Sequence, residues 1–239
     1  MILIENISII IPTKNDHLRI KENICKIDNF LANNTNDYEI IIVSNGSTKE
    51  STDYIKTLEQ EHRYLRQLIL SESGKGFAIK EGLLNSEYDN VLFIDADSSV
   101  RIKEFKNFVT EGNLKSAYTI GNRRNKASEN LNSPLLRKLS GFIYAKLIKA
   151  FFELDVEDTQ CGFKAIDKTK FSNFSDFQTK GYSFDLELLI LAKLNKVKVT
   201  EVPVKYTHNN DSKVELFSDT IQMIREMHLL YSKYKKVIK

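Results

Sequence analysis

The sequence predicts an α/β fold in which a mostly parallel central sheet carries helices on both faces. Two observations predict it. Short, near-continuous apolar runs alternate with helical stretches from Ile7 onward, and runs of that kind belong to strands buried on both sides. Each run then stops at a polar loop, and in a doubly wound sheet such loops gather at the carboxyl edge, where ligands bind. At 239 residues, 41% apolar and 28% charged, the chain is long enough for one large α/β domain, and its ordinary composition sets aside disorder and coiled coil.

Ile7-Ser8-Ile9-Ile10-Ile11 reads as a first buried strand, closed by Pro12, which has no N–H to give to a sheet. Thr13-Lys14-Asn15-Asp16 is a polar loop before a helix from about His17 to Ala32. Tyr38 to Val43 is the second strand, opening into Ser44-Asn45-Gly46-Ser47-Thr48 and a polar helix to about Gln67. Leu68-Ile69-Leu70 is a short third strand, and Ser71-Glu72-Ser73-Gly74-Lys75-Gly76 leads from it into a helix from Phe77 to Ser86. The fourth strand, Val91 to Ile94, stops at Asp95. Beyond it come a helix from about Arg101 to Glu111 and a strand from Ala117 to Ile120 that ends in Gly121-Asn122-Arg123-Arg124. Pro134 opens a long helix whose Leu135, Leu139, Phe142, Leu147 and Phe151 approximate one apolar stripe. A helix from about Phe184 to Leu194, a strand near Val199 to Val202 and a closing helix from about Glu215 to Tyr234 complete a single expected domain.

A formal charge of +3 is too small to point to nucleic acid. Cys25 and Cys161 lie far apart, with no Cys or His at metal spacing, which fits a reducing cytoplasm. Met1 to Asn6 has neither a basic stretch nor a small-residue cleavage site, so no signal peptide is read, and no segment approaches the roughly 20 uncharged apolar residues of a membrane span. A peripheral contact with a membrane stays open. On the last helix Met223, Ile224, Met227, Leu230 and Tyr231 form an apolar stripe beside Lys233, Lys235, Lys236 and Lys239, which suits anionic headgroups, although packing on the domain is the commoner fate.

Strand side chains alternate, so Asp95 and Asp97 emerge on one side if the backbone stays extended past Ile94. Two carboxylates there suit a hard cation, Mg²⁺ or Mn²⁺, which completes its shell with water and phosphate. The plainer alternative is an acidic turn capping the next helix. Arg123, Arg124 and Lys213 are candidates for phosphate, since guanidinium forks and ammonium charges match its oxygens, while exposed cations are as often merely solvated. His208 has no partner at ligand spacing and reads as a structural or surface residue, and Cys161 reads as a small packed side chain.

Asp95-Ala96-Asp97, Gly74-Lys75-Gly76 with Lys80, Asp158-Thr159-Gln160-Cys161-Gly162-Phe163-Lys164, Phe184-Asp185-Leu186-Glu187-Leu188-Leu189, Glu201-Val202-Pro203-Val204 and Ser212-Lys213 form a series. That series resembles the inverting family 2 glycosyltransferases of the GT-A fold, and within them the dolichyl-phosphate glucose and mannose synthases, from about Ile7 to Tyr234. The resemblance implies a Rossmann-like GT-A architecture. Residues up to about 121 would bind a nucleotide-sugar donor, and residues from about 122 to 239 would meet the acceptor, a polyprenyl phosphate or a hydroxyl of a surface polysaccharide or other glycan. It places Pro12, Thr13, Asn15, Asn45, Gly74, Lys75, Lys80, Asp95 and Ala96 on the donor, Asp97 with Asp95 on the metal, and Asp158, Gln160 and Lys213 towards the acceptor.

Within that reading Lys75 or Lys80 adds positive charge, and Gly74 and Gly76 let backbone amides approach phosphate without a Cβ in the way. With a hydroxyl acceptor Asp158 would be the general base. With a phosphate acceptor, ionised near neutral pH, it would orient groups instead, and its plain alternative is a turn or N-cap aspartate. Asp185 and Glu187 owe any functional role to the resemblance alone. The family often carries an acidic pair where this chain has Ser44-Asn45, and the mannose synthases a glutamine where it has Ser99, so UDP-glucose and GDP-mannose both stay open. So does a nucleotide-binding protein without transfer activity.

Overall fold

The structure, a computed structural model, describes residues 2–131, 135–172, 174, 177–208 and 216–238. The first half repeats strand and helix: β1 (Ile4–Thr13), α1 (His17–Ala32), β2 (Thr35–Asn45), α2 (Lys49–Glu61), β3 (Leu65–Leu70), α3 (Lys75–Asn85) and β4 (Asn90–Phe93). After a 3₁₀ helix (Ile102–Phe108) come β5 (Val109–Thr110), β6 (Asn113–Leu114), β7 (Tyr118–Asn122), β8 (Glu129–Leu131), α4 (Leu135–Phe152), β9 (Lys164–Asp167), α5 (Phe184–Leu194), β10 (Val199–Pro203), β11 (Lys205–Thr207) and α6 (Leu216–Ile238).

Among the described residues seven strands form one sheet in the order β10-β7-β9-β4-β1-β2-β3. Every pairing is parallel except the two made by β9. Five consecutive residues of β1, Ile7 to Ile11, are buried. Since successive strand side chains point to opposite faces, both faces of the sheet are covered there, as the continuous apolar run predicts. The expected mostly parallel α/β sheet is therefore what the chain forms.

Three local readings change. Ile102, Phe105 and Phe108 are spaced by three, the period of a 3₁₀ rather than an α-helix, and that segment is 3₁₀ before a hairpin turned by Glu111 and Gly112, both at positive φ. On α4 the buried residues are Tyr144, Ala145, Ile148 and Phe152; of the stripe counted from Leu135, Leu147 packs partly against the core while Phe142 and Phe151 stand about half exposed. The side chains of Leu135 and Leu139 lie outside the description. On α6 Met227 and Leu230 are buried against the domain, the commoner fate of such a stripe, whereas Ile224 is exposed. No described helix is long and apolar enough to cross a membrane.

Candidate active site

β2, β1 and β4 are neighbours, and their carboxyl ends deliver Asn45, Thr13 and Asp95 to one edge. Side chains stitch the loops there. Buried Asn45 donates from Nδ2 to the Thr13 carbonyl at 2.8 Å and accepts at Oδ1 from the Gly74 N–H at 3.0 Å. A carboxylate in its place could not donate to Thr13, so this position is built for a carboxamide. Asn15, at φ 56°, accepts from the Thr48 N–H at 2.8 Å. The loops of Asn15, Asn45, Lys75 and Asp95 thus come together from four places in the chain.

Beyond Ile94 the backbone does not stay extended. The Ser98 N–H donates to the Asp95 carbonyl at 3.0 Å and Ser98 has φ 50°, so Ala96 and Asp97 sit in a turn, which replaces the strand alternation expected for the two carboxylates. Asp97 Oδ1 accepts from the Ser99 N–H at 2.9 Å, and Asn23 of α1 pins the turn by donating to the Ala96 carbonyl at 2.7 Å.

Asp95 is held by Lys75 and lies close beside Gly162. Oδ1 accepts from Lys75 Nζ at 2.6 Å, and Oδ2 lies so near Gly162 that a Cβ there would fall 1.8 Å from it. Burial opposes charge on both partners, but their mutual attraction and hydrogen bond prevail: the Lys75 pKa is raised, the Asp95 pKa is lowered, and the pair is ionic. The Lys75 and Lys164 ammonium groups stand 5.7 and 6.0 Å from the Phe184 ring centroid. Pro12, Lys75, Asp95, Gly162, Lys164 and Phe184 line a small pocket. Lys164, itself buried, pairs with Asp185 at 2.7 Å and donates to the Cys161 carbonyl, and burial raises the Asp185 pKa.

The glycine-lysine stretch does not act as expected. The Gly74 amide is taken by Asn45 and the Gly76 amide donates to the Lys180 carbonyl at 2.9 Å, so neither N–H faces an open phosphate site. The two glycines make room for residues 179–181 instead: a Cβ on Gly74 would lie 2.5 Å from the Lys180 oxygen, and one on Gly76 2.4 Å from that of Thr179. Lys80 donates to the Phe177 carbonyl at 3.1 Å, leaving Lys75 as the lysine on Asp95. Glu187 holds the same segment, accepting from the Gln178 and Thr179 N–H groups at 2.9 and 2.8 Å.

A second cluster forms where β7 ends. Arg123 clasps Asp158, its N–H and Nε donating to Oδ2 at 2.9 and 2.7 Å and its Nη2 to Oδ1 at 2.8 Å. Asp158 is 0% exposed; burial alone would raise its pKa, but the guanidinium charge and hydrogen bonds hold it at about 2. Glu201 of β10 accepts from the Glu157 and Asp158 N–H groups at 2.9 Å each and fixes that loop. Arg124 donates to the Glu157 carbonyl, and burial lowers its pKa. Gln160 reaches Met223 Sδ on α6 at 3.6 Å. Tyr206 lies under Arg123, 5.1 Å from the ring centroid to Cζ, and its hydroxyl is 3.3 Å from His208 Nδ1. Lys213 lies outside the described residues. Cys161 is buried, its thiol pushed up by burial to about 11, which suits packing rather than chemistry.

Asn23, Asn122 and the Lys164–Asp185 pair carry weight that the sequence reading missed. Asn23 had a signal, a polar residue inside the apolar stripe of Ile20, Ile24 and Ile27. Asn122, which accepts from the Arg124 and Asn125 N–H groups at 2.7 and 2.9 Å, had none.

By the chemistry of their oxygens, Asp95 and Asp97 are suited to a divalent cation. Among the described residues no third His, Cys, Asp or Glu joins them, so such an ion would complete its shell with water and phosphate, as Mg²⁺ and Mn²⁺ do. An ammonium already rests on Asp95 Oδ1, which marks that oxygen as a seat for positive charge.

Two named relatives and one solved structure show what the chain is similar to. A dolichyl-phosphate β-glucosyltransferase of Trichomonas vaginalis is 32% identical over 189 residues, covering 75% of this chain but only 56% of the relative. A dolichyl-phosphate β-glucosyltransferase of Saccharomyces cerevisiae is 26% identical over 249 residues, covering 95% of this chain and 75% of the relative. Glucosyl-3-phosphoglycerate synthase of Mycobacterium tuberculosis, solved with Mn²⁺, UDP-glucose and phosphoglyceric acid, aligns with a TM-score of 0.69 at 16% identity over 95% of this chain and 80% of that one, a likeness of GT-A fold. The family model described as Glycosyl transferase family 2 matches residues 8–174, well over half of the chain, which contains the Asp95–Asp97 turn, Gly74-Lys75-Gly76 and Asp158. The chain belongs to glycosyl transferase family 2 and is a glycosyltransferase.

Proposed function

We propose that this glycosyltransferase is an inverting, metal-dependent enzyme that transfers glucose from a nucleoside diphosphate, UDP-glucose, to a polyprenyl phosphate of the dolichyl type. One observation carries the choice of acceptor: both oxygens of Asp158 are engaged by Arg123 and its pKa is held at about 2, so the group in the place of a general base is a poor one. A hydroxyl acceptor needs a base; a phosphate, ionised near pH 7, does not. The names of the relatives favour glucose and a lipid phosphate.

On this reading residues up to about 121 hold the donor and the rest meet the acceptor. Lys75 places positive charge beside the leaving diphosphate, and the Arg123–Asp158 pair orients the acceptor side. A divalent ion on Asp97 and Asp95 would supply a Lewis acid for the leaving group. The test is transfer of labelled sugar into an organic extract, with UDP-glucose and GDP-mannose in parallel, polyprenyl phosphate and Mg²⁺ or Mn²⁺. Label from UDP-glucose is expected in the organic phase, with Asp97→Ala lowering it on the order of 10²-fold or more. Donor consumed with label left in water would transfer the case to a glycan hydroxyl.

The enzyme would work at the cytoplasmic face of a membrane, in peripheral contact with it. Phe142, Ile143 and Phe151 of α4 and Ile221, Ile224 and Leu229 of α6 are exposed, and Lys146, Arg225, Lys235 and Lys236 stand exposed on the same helices. Sedimentation with vesicles should recover the protein on phosphatidylserine-containing but not neutral vesicles, and Phe142→Ser with Ile143→Ser should lower the bound fraction several-fold. Equal recovery on both vesicle types would remove the charge component of this contact.

A further inference from the structure

The Asp95 side chain is 37% exposed, but Oδ1, one of the two oxygens a metal ion could use, is already engaged. Oδ1 carries the Lys75 ammonium at 2.6 Å, and Oδ2 is packed on Gly162. A cation that binds through Oδ1 has to displace Lys75. The displaced ammonium would need another partner: its side chain is only 24% exposed, it lies near the Phe184 ring, and Asp185, whose charge also acts on it, already faces Lys164 at 2.7 Å. Leaving a partly buried ammonium without an anion is costly. The diphosphate of a donor is an anion that could receive it.

From this geometry we propose that Lys75 is a built-in counter-ion which couples metal and nucleotide binding by exchanging partners, holding Asp95 until a nucleoside diphosphate takes up the ammonium and frees the carboxylate for the metal. The inference rests on the donor reading above and deepens it. It makes metal alone a weak ligand, because Lys75 competes for Asp95, and makes metal with diphosphate a strong one, because every charge then has a partner. Neither of the neighbouring lysines can do this: Lys80 is turned to the Phe177 carbonyl, and Lys164 is held by Asp185 and the Cys161 carbonyl.

The test needs no turnover. Binding of Mn²⁺ is followed by the paramagnetic resonance of the free ion, with and without UDP, on the wild-type chain and on Lys75→Met, Lys75→Gln and Lys75→Arg, each first shown to be folded by its melting curve. The neutral variants should bind Mn²⁺ alone roughly tenfold tighter than wild type, Lys75→Arg should match wild type, and the factor by which UDP tightens Mn²⁺ should shrink roughly tenfold in the neutral variants. Neutral variants that bind Mn²⁺ alone no tighter than wild type, while UDP still promotes metal binding in the wild type, would overturn the exchange and leave the donor reading standing. A wild-type chain that binds no Mn²⁺ even with UDP would overturn both.

Discussion

Gly162→Ala is expected to lower sugar transfer on the order of 10²-fold or more, an effect out of proportion to the addition of one methyl group. The new Cβ would fall 1.8 Å from Asp95 Oδ2 and 2.3 Å from its Cγ, so the carboxylate has to leave its place. That displacement breaks the 2.6 Å contact with Lys75 and opens the pocket those two residues line. A misplacement of about 1 Å in a site that works by positioning charge is enough for such a loss. Initial rates and melting curves of Gly162→Ala would be compared with Gly112→Asn, at a hairpin tip where a Cβ meets nothing within 4 Å and where asparagine tolerates the positive φ. A Gly162→Ala chain with wild-type turnover would mean that Asp95 need not sit where the fold puts it.

The larger effect on stability belongs to Asp158→Asn. It leaves the Arg123 guanidinium facing a neutral amide in a buried place, and breaking a buried pair on one side costs about 3–5 kcal/mol. The pH dependence has a definite sign. The folded pKa of about 2 lies below the roughly 3.9 of an unfolded aspartate, so the unfolded chain binds the proton more readily between those values. The stabilising contribution, about 2.5 kcal/mol, is complete above about pH 4 and is lost as the pH falls through about 2. Denaturant unfolding at a series of pH values should therefore show the gap between wild type and Asp158→Asn narrowing below pH 4. A gap that stays constant to pH 2 would contradict the ionic description of this pair.

The parallel sheet was legible because its strands are buried on both faces and so spell continuous apolar runs, as in Ile7 to Ile11. The convergence of the Asn15, Asn45, Lys75 and Asp97 loops followed from topology alone. β9 was not legible: four residues beginning with a lysine carry no strand period, and Lys164 is buried only because Asp185 and the Cys161 carbonyl meet its ammonium. Partners escaped for the same reason. Sequence placed Asp158 and Arg123 near phosphate chemistry but could not show that they grip each other, since that depends on Glu201, 43 residues away along the chain, holding the loop. Gly74 and Gly76 read as a phosphate cradle because small residues look alike whether they admit a ligand or a neighbouring backbone.

β9 also bears on how the molecule assembles. β4 and β7 do not touch directly in the sheet; they are joined through β9, which runs against both. Strands β1 to β4 are close in sequence, but the join from β4 to β7 is made only by β9, which follows β7 in the chain, and β10, later still, pairs on the far side of β7. Because β9 is reversed, the loop that precedes it, with Asp158 and Gly162, arrives at the same edge as the loops that follow its neighbours. The placement of β9 between β4 and β7 and the seating of Gly162 against Asp95 are therefore linked, because one short stretch of chain carries both.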